Sequence, residues 1–221
     1  PAYGTFGIAT PTEIIDTTGQ RLNIDGLDFV FQNAPGSAAP AELTFGIPEL
    51  AAYCGAEIAT RTMHNLYTLR GTKVRDALKW SAYIDEIIDL SADSDVYFAS
   101  HHWPVWGRTE IVDYLELHRD TYKFIHDQTV RLLNNGFTSR EIAERLQLPP
   151  ELAQTFSNRG YYGTLKHNSK AVYQYYMGWY DANPANLDPL PPEKAASRYV
   201  ALAGGADAPL EKARAALDEG S

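Results

Sequence analysis

Apolar and polar side chains alternate around Asp25-Gly26: Leu22 and Ile24 precede the pair, and Leu27, Phe29 and Phe31 follow it. Successive strand residues face opposite sides, so this period predicts two half-buried strands, and Asp-Gly between them predicts a tight hairpin. Strand character is expected over residues 12–32. The stretch 33–40, NAPGSAAP, predicts a loop from its Pro and Gly content. Pro48 opens an apolar run that predicts a short helix to about Glu57, and a second helical stretch is expected over about residues 60–69. Across residues 76–90, Trp80, Tyr83, Ile84 and Ile87 recur on one helical face. The run DVYFA at 95–99 predicts a short buried strand that delivers Ser100-His101-His102 at its C-terminal end. Ligands are often carried there, because the strand fixes an exposed loop.

After Trp106-Gly107 the period changes and helix is expected to follow helix. Residues 109–134 form a long periodic stretch stopped by Asn135-Gly136. Thr138-Ser139-Arg140-Glu141 is a capping box, in which hydroxyl and carboxylate satisfy the first free backbone amides. Pro149-Pro150 begins another helix, and residues 166–180 carry Val172, Tyr175, Tyr176 and Trp179 at helical spacing. A Pro-rich strap, 184–192, precedes two short helices. The pattern divides the chain into an α/β segment, 1–105, and an all-helical segment, 106–221.

Composition narrows the function. With 44% hydrophobic and 21% charged residues, the 221-residue chain has the make-up of a soluble globular protein with one large core or two modest ones. A net charge of −9 opposes nucleic acid and anionic lipid as partners. The TSREIAERLQL stretch resembles the start of a helix-turn-helix. Glu151 then stands where a recognition helix wants Arg or Lys, so no nucleic-acid partner is expected. No apolar stretch approaches the roughly 20 residues of a membrane span. The chain begins at Pro1 without a basic segment and apolar core, so no targeting signal is visible. Cys54 is alone, in an apolar run, and reads as a small buried hydrophobe. The 14 Tyr and 4 Trp either pack a helical core or line a groove, and packing is the expectation.

The chemistry concentrates in EIATRTMHNLYTLR, from Glu57 to Arg70, and in Ser100-His101-His102-Trp103-Pro104. These segments hold a carboxylate, imidazoles, an amide and a guanidinium: the groups that bind a divalent metal and grip an oxyanion. Carboxylate plus imidazole suits zinc, but two ligands do not make a site. His101 and His102 are adjacent on an extended chain, so one can face a site while the other packs. Asn65 and Arg70 on a single helix would lie about 140° apart, so their convergence requires the helix to end, as Gly71 suggests. Arginine suits a tetrahedral oxyanion because its planar fork donates two parallel charged hydrogen bonds. His118 and His126 read as structural. His167 lies where a polar, aromatic turn opens a helix, a position that favours anions.

Longer motifs carry a family resemblance. Met63-His64-Asn65-Leu66-Tyr67-Thr68-Leu69-Arg70-Gly71, with Lys73-Val74-Arg75-Asp76, resembles the signature of the SDS-hydrolysing alkylsulfatases of the metallo-β-lactamase superfamily. Ala99-Ser100-His101-His102-Trp103-Pro104 matches as well. So do Arg159-Gly160-Tyr161-Tyr162-Gly163, His167-Asn168, Gly178-Trp179-Tyr180-Asp181 and Asn183-Pro184-Ala185, in the family's order. The resemblance implies the second half of an αββα catalytic sandwich in residues 1–105 and a helical dimerisation domain in 106–221. It also implies zinc-dependent hydrolysis of alkyl sulfate esters to alcohol and sulfate, with about two zinc ions per intact subunit. Glu57 corresponds to the carboxylate bridging the zincs, His102 to a histidine on the second zinc, Asn65 and Arg70 to sulfate-holding residues, and His167 to a further sulfate contact. The implied partners are an alkyl sulfate substrate, a second copy of the protein, and an N-terminal half bearing His-x-His-x-Asp-His, in the same chain or a separate one. A sterol-carrier-like C-terminal domain is the other expected absentee, and a periplasmic or secreted location follows from the family. One departure stands out. Gly36-Ser37-Ala38-Ala39-Pro40-Ala41-Glu42 replaces the family's Gly-Thr-Glu-Ala-Pro-Ala-Glu, so Ala38 falls where a zinc-ligating Glu is expected. That departure leaves open a non-catalytic dimerisation module, and the oxyanion grip leaves open a metallo-hydrolase of another ester.

Overall fold

Among the described residues six strands form one mixed sheet, and their order in the sheet is their order in the chain. They are β1 (Arg21–Ile24), β2 (Leu27–Asn33), β3 (Leu43–Ile47), β4 (Ala52–Cys54), β5 (Val96–Phe98) and β6 (Val105–Trp106). The computed structural model describes residues 4, 5 and 7–220, so the chain ends Pro1 and Ser221 lie outside the described residues. Strand structure begins at Arg21 rather than at residue 12. Ile24 pairs with Leu27, which leaves Asp25 and Gly26 as a two-residue turn with φ of 52° and 86°. Tight hairpins need positive φ at both central positions to match the strand twist, and Asp-Gly supplies them. All neighbouring pairs are antiparallel except β4 and β5, which run parallel. A parallel pair needs a long crossover, provided here by residues 55–76 and helix α1 (Ala77–Leu90).

The two helices expected over 48–57 and 60–69 are not formed. Pro48–Leu50 makes a single 3₁₀ turn that ends at Ala51 in the left-handed region, with φ of 45°. The apolar run that follows enters the sheet as β4. Tyr53 is buried there, stacked on Tyr97 with ring centres 6.1 Å apart, and its hydroxyl shares a 2.6 Å hydrogen bond with Thr44. A short apolar run cannot tell a buried strand from a helix by period alone, and the sheet decides the matter. Residues 55–76 contain neither helix nor strand.

The remaining helices follow expectation more closely. Asp76 caps α1 by accepting from the amides of Leu78 and Lys79, each at 3.0 Å. Trp80, Ile84 and Ile87 are fully buried on its inner face. Helix α2 (Arg108–Asn134) packs on α1 through Ile111, Leu115, Tyr122 and Ile125, and Trp80 stacks on Tyr122 at 5.2 Å. His118 of α2 is buried, and desolvation pushes its pKa down to about 4. Next come α3 (Ser139–Arg145), opened by the expected Thr138–Glu141 capping box, α4 (Pro150–Gln154) and α5 (Leu165–Met177). Helix α5 ends at Met177, three residues before the expected end. The order seen is therefore the expected one, an α/β segment and then helices. Cys54 is buried, and burial pushes its thiol pKa up.

One compact unit runs to Gly178, and a second comprises residues 179–221. The second holds a 3₁₀ turn (Pro184–Asn186), α6 (Pro192–Leu202) and α7 (Asp207–Asp218). None of its described residues is buried, and Tyr199, Leu202, Leu210 and Leu217 are exposed.

Candidate functional site

The parallel pairing of β4 and β5 brings two otherwise distant segments together. Where the strands end, the Gly55 amide donates to Phe98 O at 2.8 Å and the Ser100 amide to Ala56 O at 3.0 Å. This cross-link sets Glu57 beside the histidine pair. A side chain at Gly55 is excluded, because a Cβ there would lie 1.6 Å from the Tyr97 hydroxyl, which donates to Ala59 O. Trp80 Nε1 donates to Ile58 O at 2.6 Å and holds the turn from below. Ala56 and His102, on either side of the junction, both have positive φ (46° and 69°). Such non-glycine conformations store strain and concentrate at functional sites.

The Glu57 carboxylate is gripped at both oxygens. His101 Nε2 lies 2.7 Å from Oε1, and His64 Nε2 lies 3.1 Å from Oε2. The ring of His102, which the resemblance assigns to the second zinc, lies 6.3 Å from that of Tyr161. His64 is buried, and desolvation lowers its pKa. Its Nδ1 lies 3.0 Å from Arg75 NH1. The same Nδ1 lies 3.0 Å from the Asn65 backbone oxygen, so a donor and an acceptor both face it. His64 Nε2 thus faces the Glu57 carboxylate from a buried ring. Glu57 and His101 are an oxygen and a nitrogen donor, fitting a share of a zinc ligand set. Among the described residues no group of three or more His, Cys, Asp or Glu is arranged to complete one. Ala38 is buried and offers only a methyl group. Glu42 is the acid of that loop, and its carboxyl pKa is raised, first by burial and then by the charge of Glu57.

The segment 63–66 has no regular structure, and distant residues satisfy its backbone. The His64 amide donates to the Tyr122 hydroxyl at 2.8 Å, and the Gly163 amide donates to Met63 O at 2.7 Å. Buried Asn168 of α5 clamps both sides: its Nδ2 donates to His64 O, and its Oδ1 accepts from the Leu66 amide, each at 2.9 Å. Gly163 approaches so closely that a Cβ would lie 2.3 Å from His64 O. Helical residues thus hold in place a segment that belongs to the α/β part.

With no helix over 60–69, the angular obstacle to convergence of Asn65 and Arg70 disappears. Asn65, Arg70, Tyr162 and His167 line one cavity of about 260 Å³. Thr62, His64, His101, His102, Tyr161 and Tyr162 line a neighbouring cavity of about 460 Å³. Tyr162 belongs to both and packs edge-on against His64, with ring centres 5.0 Å apart. The sequence reading placed no role on Arg75, Gly163 or Asn168, although all three lie within its quoted motifs; only the fold brings them against residues 63–66.

With this geometry in place, comparison with known proteins becomes informative. Residues 138–221 match the family described as alkyl sulfatase dimerisation. The chain is 54% identical over 213 residues to the alkyl/aryl-sulfatase BDS1 of Saccharomyces cerevisiae, covering 96% of this chain and 33% of that protein. It is 51% identical over 218 residues to a linear primary-alkylsulfatase of a Pseudomonas species, covering 98% and 32%. The solved structure of the stereoselective inverting sec-alkylsulfatase Pisa1 from Pseudomonas superimposes with a TM-score of 0.92 at 43% identity, covering 96% of this chain and 34% of that one. The chain is a homologue of the alkylsulfatases in sequence and fold. It spans about a third of the length of the curated relatives it matches. No helix among the described residues is long and apolar enough to cross a membrane.

Proposed function

We propose that the intact protein hydrolyses alkyl sulfate esters to alcohol and sulfate, and that this chain supplies the sulfate grip and part of a zinc site. The observation that carries the reading is the convergence of Asn65, Arg70 and His167 on one cavity, next to the cavity that holds Glu57's imidazole partner. Arg70 offers a charged fork, Asn65 an amide and His167 an imidazole at the start of α5. Together they orient the sulfate group and offset charge as the ester bond breaks. Glu57 and the His101–His102 pair are the proposed metal donors, with His101 the ring nearer the carboxylate. A bound zinc ion supplies Lewis acidity, lowering the pKa of water toward neutrality. The remaining ligands come from sequence outside these 221 residues, an N-terminal half bearing His-x-His-x-Asp-His. Residues 1–105 would then be half of a metallo-β-lactamase-type domain and 106–221 the dimerisation part of a homodimer. Exposed aromatic residues near the cavities, Tyr161 and Trp103 among them, suit an alkyl chain, which gains about 0.8 kcal/mol per buried methylene.

The test uses the complete protein. Arg70→Ala should cripple turnover of a linear alkyl sulfate while zinc content stays unchanged; loss of zinc with the remaining turnover proportional to metal would assign Arg70 a structural role instead. A panel of sulfate, phosphate and carboxylate esters tests the substrate class. Buried Ala38 favours one other reading, a non-catalytic dimerisation module. Metal analysis separates the two, with about two zinc ions per subunit expected for the enzyme.

A further inference from the structure

We propose that Arg75 is a positioning residue of the anion cavity: it fixes the Asn65 side chain with its carbonyl turned inward and its NH₂ group offered to the anion. This rests on the sulfate reading above and deepens it. Arg75 NH1 donates to Asn65 Oδ1 at 2.8 Å and lies 2.7 Å from Asn65 O and 3.0 Å from His64 Nδ1. Its two hydrogens serve the two Asn65 oxygens, Oδ1 of the side chain and O of the backbone. Oxygen and nitrogen of an asparagine amide are ordinarily interchangeable by a flip, but guanidinium has no acceptor, so the atom facing it must be the oxygen. Asn65 Nδ2 then faces away from Arg75 and has no hydrogen-bond partner among the described residues, while Asn65 itself lines the cavity with Arg70, Tyr162 and His167. An amide held this way can only donate to a ligand, which selects an anion over a cation.

Arg75 is itself well fixed. Its guanidinium sits over the Trp80 ring, 5.6 Å from the centre, and its backbone amide donates to Leu66 O at 2.9 Å. It is half-buried and does not line the anion cavity, so its effect on an anion passes through Asn65.

The experiment is a double-mutant cycle in the complete protein, read as the dissociation constant of inorganic sulfate by competitive inhibition. Arg75→Ala should weaken sulfate about 10-fold, because the freed amide rotates and loses its charge-assisted anchor. Asn65→Ala should weaken it by a similar factor. The double variant should be no weaker than Asn65→Ala alone, since the two residues act as one. Arg75→Met keeps the stem over Trp80 without any donor and takes the place of alanine if that variant does not fold. Multiplied losses in the double variant would overturn the positioning role and leave the sulfate cavity standing. Unchanged sulfate affinity in Asn65→Ala would remove the sulfate reading, and this inference with it.

Discussion

The two cavities on either side of Tyr162 are built differently. The smaller draws Asn65 and Arg70 from the crossover segment and His167 from α5, and each of its polar groups comes from this chain. The larger holds His101 and His102 near Glu57, but among the described residues it gathers too few donors for a metal. One region joins residues far apart in the chain; the other, on the proposed reading, would take its remaining metal donors from elsewhere.

The largest test of this contrast is Arg70→Ala. In the complete protein kcat/KM for an alkyl sulfate should fall about 10²- to 10³-fold with zinc content unchanged. A fall matched by zinc loss would erase the distinction between the cavities. The next test is acid. The fold accommodates neutral His118, whose ring lies edge-on to Tyr122 at 5.1 Å, beneath the segment that both cavities share. The unfolded chain takes up a proton near pH 6.5, whereas the folded one resists until about pH 4. Stability should therefore drop by roughly 3 kcal/mol across that window as pH falls. Urea unfolding at a series of pH values measures the slope, and His118→Gln should flatten it.

Gly163→Ala should cost about 1–3 kcal/mol, because its Cβ would collide with His64 O and push the helical loop off residues 63–66. Thermal unfolding reports the loss, and sulfate affinity should fall with it. Thr138→Ala is the contrasting control: it removes the capping box of α3, far along the chain from either cavity. It should cost about 1 kcal/mol and leave sulfate affinity intact. A change in affinity there would mean that general stability, rather than the local clamp, governs the cavity.

What could be read from the chain without its fold followed local rules. The Asp25-Gly26 turn, the α1 face of Trp80, Ile84 and Ile87, and the capping box at Thr138 each depend on neighbours within a few residues. The misassigned stretch, 48–69, depends on the sheet: β4 forms because β3 and β5 accept it, and residues 63–66 stay irregular because Tyr122, Gly163 and Asn168 supply their hydrogen bonds. The same stretch carries Glu57, Asn65 and Arg70. Their residue types were legible from the sequence and the resemblance implied that Asn65 and Arg70 converge, but the helix expected over 60–69 would have separated the two. Likewise, nothing in the His101-His102 dipeptide indicates which ring meets Glu57; the register of β4 on β5 and the left-handed turn at His102 set that.

The central claim is that the sulfate group of a substrate sits among Asn65, Arg70 and His167. A crystal structure of the complete protein with a slowly turned-over alkyl sulfate tests it most directly. The account predicts the sulfur in that cavity, with Arg70 and the Asn65 amide donating to its oxygens. Sulfur bound elsewhere, with these side chains turned away from it, would contradict the account.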